Sequence, residues 1–141
     1  MIEMSLSKSK ETENKLRWSV HVEKDKAPFH LYIPKRRVPK PWPGRIFVSI
    51  EPFGGDRSDC AQNPYDSDNL DNPIEVLVRR VKNHTRTVEY APVGKIEDWQ
   101  IGSPYIPDSL IPPNSNLLTI KVEWDLDSKG QFADVPTYRD E

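Results

Sequence analysis

Apolar and polar residues alternate with a period of two along most of this chain. In LRWSVHVE (16–23), Leu16, Trp18, Val20 and Val22 fall on one face, with Arg17, Ser19, His21 and Glu23 on the other. PFHLYI (28–33) sets Phe29, Leu31 and Ile33 against His30 and Tyr32. RIFVSI, IEVLVRRV (74–81), TRTVEY and LLTIKVEW continue the pattern, and a weaker strand follows near QFADVPTY, where Pro136 interrupts it. Period-two alternation is the mark of half-buried strands. Prolines punctuate the chain too often for a long helix, leaving short helical turns near 57–62 and 107–111. The expectation is an all-β fold, a β-sandwich or partly open barrel of about seven antiparallel strands with proline-rich crossovers.

Two hairpins follow from the pattern. Turning at KDKA pairs Val22 with Phe29, Val20 with Leu31, Trp18 with Ile33 and His21 with His30, since a one-residue slip would set apolar against polar. A three-residue turn at KNH (82–84) pairs Val78 with Val88 and Val76 with Tyr90, leaving Arg80 beside Arg86.

One motif occurs twice. YIPKRRVP (32–39) returns as YIPDSLIP (105–112). With a one-residue gap, Ile46, Val48, Ile50 and Glu51 then match Leu118, Ile120, Val122 and Glu123. This reads as one device used twice: a strand end, a proline-stiffened crossover and a core strand. Proline fixes its own φ and holds its predecessor extended, so such a crossover costs little entropy to order.

Composition adjusts this picture. The hydrophobic fraction is 35%, lowered by 14 prolines and by the polar leader MIEMSLSKSKETENK. The leader buries too little to offset its ordering entropy, so residues 1–14 are expected to form a flexible tail before a single β-rich domain over 15–141. It lacks the apolar stretch of a signal peptide, and no run approaches the roughly 20 apolar residues of a membrane helix. A single Cys60 permits no internal disulfide, which suits a reducing, cytoplasmic setting. The net charge of −2 is uneven. Residues 1–49 hold 11 basic against 5 acidic side chains, and residues 50–141 hold 9 against 17. A basic and an acidic patch on one body follow.

The basic residues gather in two places. Lys35, Arg36, Arg37, Lys40 and Arg45 surround Trp42, and the second hairpin carries Arg79, Arg80, Lys82 and Arg86. Convergent cations with an aromatic face can hold an acidic protein or a single-stranded nucleic acid. The acidic overall balance favours the protein partner. The Pro39–Pro43 segment has the form of a polyproline ligand, yet lies between two strands. In the acidic loop 56–73, Asp66, Asp68 and Asp71 resemble a calcium loop only superficially, because Leu70 stands where an oxygen ligand belongs. His21 and His30 would begin a zinc site, but no third ligand is evident. No nucleotide-binding, metalloprotease or serine-hydrolase motif is present. The sequence therefore predicts a non-enzymatic interaction module with no cofactor or bound metal. Its working residues would be Lys35, Arg36, Arg37, Lys40, Trp42, Arg79, Arg80, Lys82 and Arg86, facing an acidic protein. Nucleic-acid binding is the alternative, a metal-dependent hydrolase stands behind it, and an unpaired edge strand would allow oligomers.

Overall fold

The computed structural model describes residues 2–22, 27–53, 69–112, 115–131 and 135–138, and these are all-β. Nine strands occur among them: β1 (Ile2–Glu11), β2 (Lys15–Val22), β3 (Ala27–Pro34), β4 (Arg45–Pro52), β5 (Ile74–Asn83), β6 (Thr87–Pro92), β7 (Tyr105–Pro107), β8 (Leu117–Trp124) and β9 (Thr137–Tyr138). The first eight run β1-β4-β8-β5-β6-β7-β3-β2, and β2 pairs back onto β1. The result is a closed antiparallel barrel. Each of its eight strands has a neighbour on both sides, so closure removes the long free edge that strand-addition oligomers require. β9 lies parallel to β2, with His21 facing Thr137 and Val22 facing Tyr138, beyond the point where β1 and β2 part.

Alternate residues fill the interior. Leu16, Trp18, Val20, Leu31, Ile33, Ile46, Ile74, Tyr90, Ile120 and Val122 are all buried. Trp18 and Trp124 meet there with ring centroids 6.0 Å apart.

The leader corrects the sequence reading. Residues 2–11 are not a tail but strand β1, and Met4 and Leu6 face Val48 and Ile46 of β4. Two buried apolar side chains suffice because β1 is clasped between β4 and β2 and its backbone groups are paired by both.

The repeated motif extends to the strands around it: β1–β4 and β5–β8 form two copies of the same four-strand unit. In β1–β2, Ser7 faces Ser19, Lys8 faces Trp18 and Lys10 faces Arg17, with an irregularity at Ser9. Seventy-two residues on, Arg79 faces Ala91, Arg80 faces Tyr90 and Lys82 faces Glu89, with the same irregularity at Val81. Hydrogen bonds repeat as well. Thr12 N donates to Lys15 O at 2.9 Å, and His84 N to Thr87 O at 2.8 Å. Lys8 N donates to Gly44 O and Arg80 N to Asn116 O, both at 2.8 Å. The Trp18 indole donates to Pro43 O at 3.1 Å, and the Tyr90 hydroxyl donates to Ser115 O at 2.6 Å. The two units meet through the antiparallel β4–β8 and β3–β7 pairs, as a two-fold relation demands.

Each Tyr-Ile-Pro closes a strand and opens a single 3-10 turn, Lys35–Arg37 or Asp108–Leu110. Both prolines have φ near −55°, at −58° and −53°, and both turns end in an extended residue, Val38 or Ile111. The sequence placed a helical turn near 107–111, and it is this second 3-10 turn; the one expected near 57–62 lies outside the described residues.

Both hairpin registers differ from expectation. Val20 faces Phe29, Trp18 faces Leu31 and Leu16 faces Ile33, a shift of two residues that keeps every apolar face inward. His30 therefore faces Ser19, and His21 faces Pro28. In the second hairpin Val78 faces Pro92 and Asn83 faces Val88, because the chain turns at 84–86 and not at 82–84; an irregularity at Val81 also turns that side chain outward at 46% exposure.

Candidate cationic and aromatic cleft

The crossover from β3 to β4 distributes its basic residues among different tasks. Arg37 is buried, at 1% exposure, and does not belong to a surface. Its Nε donates to Gln100 Oε1 at 2.6 Å, Nη1 to Leu70 O at 3.1 Å, and Nη2 to Asn72 O at 3.1 Å and Pro73 O at 3.4 Å. A fork of donors is suited to such a cluster of carbonyls. Arg37 thus ties the crossover to the strand linker and to the β6–β7 connection. Trp42 is half-buried against the core, with Lys8 and Lys35 at 5.4 Å and 5.1 Å from its ring centroid. That ring is a packing element, not an open stacking face. Lys35 also bonds Glu11 at 2.8 Å, and that bond holds the Glu11 carboxyl below its usual pKa. Lys40 is exposed. Arg45 reaches Asp125 at 3.5 Å.

The hairpin cations do not join them. Residues 38–44 enter β4 at Arg45, whose carbonyl accepts from Asp125 N at the close of β8. The hairpin 79–86 rises from the other end of that strand pair, where Arg79 faces Leu117 and Pro52 faces Leu118. Eight residues of β4 span roughly 23 Å at about 3.3 Å per residue. The basic loop and the hairpin tip are therefore two sites at opposite ends of the barrel, not one surface. Arg79, Lys82 and Arg86 are exposed, whereas Arg80 is half-buried, with its guanidinium 5.9 Å from the Tyr90 ring centroid.

Arg36 leads to a different grouping. Its Nη2 donates to Trp99 O at 2.9 Å and Glu97 O at 3.4 Å, which draws the β6–β7 connection over the end of β3. Gly102 N completes the closure by donating to Tyr32 O at 2.8 Å. Between them is a cleft of about 430 Å3, lined by Lys15, Tyr32, Pro34, Arg36, Ile96 and Trp99 among others. Lys15 and Arg36 bring positive charge, and Tyr32 and Trp99 bring aromatic surface. Ile96 stands 68% exposed at the rim. A glycine is needed at 102 only loosely, since a Cβ there would meet Tyr32 at 3.5 Å. Of this set the sequence had singled out Arg36 as a site residue. Lys15 was missed because its approach to Trp99 depends on pairings remote in the chain.

Farther along the outer face of β3, His30 Nδ1 and Ser19 Oγ share a hydrogen bond of 2.5 Å. Ser19 in turn bonds Ser9, and Arg17 Nε donates to Ser9 Oγ at 2.9 Å. Burial, then the Arg17 guanidinium and the neighbouring His21 ring, depress the His30 pKa below the ordinary histidine value. The uncharged ring accepts or donates at Nδ1 according to tautomer.

A larger hollow of about 540 Å3 lies on the outer wall between Glu3, Phe47, Ser49, Lys121 and Glu123. Its charges are of both signs, and Lys121 is already paired with Glu123 at 3.1 Å. Among the described residues, no three His, Cys, Asp or Glu side chains converge to hold a metal. Of the loop that resembles a calcium site, Cys60, Asp66 and Asp68 lie outside the described residues, and Asp71 pairs with Lys129 at 3.3 Å. No described helix is long and apolar enough to cross a membrane. The chain matches no protein-family model, no curated protein sequence and no solved structure.

Proposed function

We propose that this barrel is a non-enzymatic interaction module that holds an acidic segment of a partner protein in the cleft between β3 and the 93–104 connection. The observation that carries this reading is the combination of Lys15 and Arg36 with Tyr32, Trp99 and the exposed Ile96 around one hollow. Paired cations meet carboxylates, and the aromatic and aliphatic walls meet an apolar side chain next to them. A protein partner is favoured over nucleic acid. Glu97 and Asp98 sit exposed in the 3-10 turn that forms one rim, where they would repel a continuous phosphate backbone but leave room for isolated carboxylates.

Fluorescence anisotropy of a labelled peptide rich in Asp and Glu around one Leu tests the proposal. Binding that weakens with added salt, and weakens about tenfold or more in Lys15→Glu/Arg36→Glu, supports it. No binding to the peptide, or equal binding to the charge-reversed variant, rejects it. Tighter binding of a single-stranded oligonucleotide than of the peptide transfers the site to nucleic acid.

A further inference from the structure

The two-fold relation exposes an asymmetry at the opposite end of the barrel. In the first unit the Trp42 ring is seated between Lys8 and Lys35 and packs on the core. The counterparts of those lysines in the second unit are Arg80 and Asp108, fixed by the repeated pairings Lys8–Trp18 with Arg80–Tyr90 and by the two 3-10 turns. Arg80 and Asp108 line a cavity of about 390 Å3 with Asn83, His84, Thr87, Val88, Ile111 and Pro112. Between Asp108 and Leu117 the sequence of the second unit carries no tryptophan. The second unit keeps the seat and lacks the tryptophan.

A second observation points the same way. Arg80 Nε is buried without a hydrogen-bond partner, although Nη1 donates to Asn83 Oδ1 at 3.2 Å and Nη2 donates to Ser115 O at 3.4 Å. An unmatched buried donor on a cavity wall is costly unless something offsets it.

We infer that this cavity is a docking site for a tryptophan side chain presented by a proline-flanked segment of a partner protein, the same chemistry this chain uses in Pro41-Trp42-Pro43. The charge pattern fits such a guest. Arg80 offers a cation to the ring face, as Lys8 does in the first unit. Val88, Ile111 and Pro112 supply apolar walls. Asp108 replaces the donor Lys35 with an acceptor suited to an indole N–H. The site lies at the opposite end of the barrel from the Lys15–Arg36 cleft and does not depend on it.

The test is an amide-resolved NMR titration of the full chain with the acetylated, amidated peptide Lys-Pro-Trp-Pro-Gly and with its Trp→Ala counterpart. Shifts at Asn83, His84, Thr87, Val88 and Ile111 with the tryptophan peptide alone are expected. Arg80→Met should weaken binding about threefold or more, the scale of one cation–π contact. Equal effects of the two peptides, shifts elsewhere on the barrel, or undiminished binding to Arg80→Met would each overturn the inference.

Discussion

Ser49 and Lys121 face each other across β4 and β8, and they are each other's counterparts in the two halves of the chain. The pairs on either side obey the same relation. Val48 faces Val122 and Ile50 faces Ile120, and the residue 72 places after Val48 is the partner of Ile50, as the one 72 places after Ile50 is the partner of Val48. A two-fold axis therefore passes through this point of the barrel wall. The two ends of the barrel share a backbone plan and differ in side chains. At the first end that plan carries Trp42, Arg37 and the neighbouring cationic cleft; at the second it carries Tyr90, Leu110 and the cavity lined by Arg80 and Asp108.

Arg37 and Leu110 hold equivalent places in the two 3-10 turns, and both are buried. Arg37 satisfies the carbonyls of Leu70, Asn72 and Pro73, whereas Arg36 bonds backbone from an exposed position. Arg37→Ala should cost roughly 3 kcal/mol or more, since each buried acceptor left unmatched costs about 1–3 kcal/mol. Arg36→Ala should stay within about 1 kcal/mol. Urea unfolding of the two variants distinguishes these outcomes, and equal losses would contradict the structural role of Arg37.

This pair also marks how far the sequence could be read. The alternation gave the strands and their inward faces because burial on one face imposes a period of two. The second Tyr-Ile-Pro revealed the crossover device. Leu110 in the slot of Arg37 was a usable sign that the slot is buried, and charge alone obscured it. The first hairpin register was out of reach, because a two-residue slip preserves every face and only the turn decides it. The second was missed because its turn falls at 84–86, two residues beyond the expected KNH. β1 was hidden because its partners Ile46 and Val48 lie some forty residues away. The cleft was hidden for the same reason: Lys15, Arg36 and Trp99 are brought together only by barrel closure.

His30 should give stability a measurable pH dependence. Its folded-state pKa lies below the ordinary value, so near pH 6 the unfolded chain binds more protons at this site than the folded chain. Its contribution is therefore full above the unfolded pKa of about 6.5 and is lost as pH falls through and below that value. His30→Asn keeps a polar group near Ser19 Oγ and removes the titration. Unfolding midpoints at pH 7.5 and pH 5 should differ less in this variant than in the wild type. An unchanged difference would show that His30 titrates alike in both states.

Gly44 is closed in by backbone. Its N–H donates to Ser128 O at 2.9 Å, and a Cβ would come within 2.9 Å of the Gln131 carbonyl carbon. Gly44→Ala should destabilise by about 1–3 kcal/mol, the range for overpacking. Gly102→Ala, facing only Tyr32 at 3.5 Å, should be far milder. Thermal unfolding of the two variants side by side reads the contrast, and comparable losses would contradict the tight clasp of residues 128–131 on the crossover.

The most direct test of the proposed working site is an NMR titration of the full chain with an acidic, leucine-containing peptide at low salt. The amides of Tyr32, Arg36 and Gly102 and the indole of Trp99 should shift together and return toward their free positions as salt is raised. The amides of Thr87 and Val88 at the far end should remain still. Shifts centred on Lys40 or on the hairpin 79–86, or no shifts at peptide concentrations up to the millimolar range, would contradict a binding site in the Lys15–Arg36 cleft.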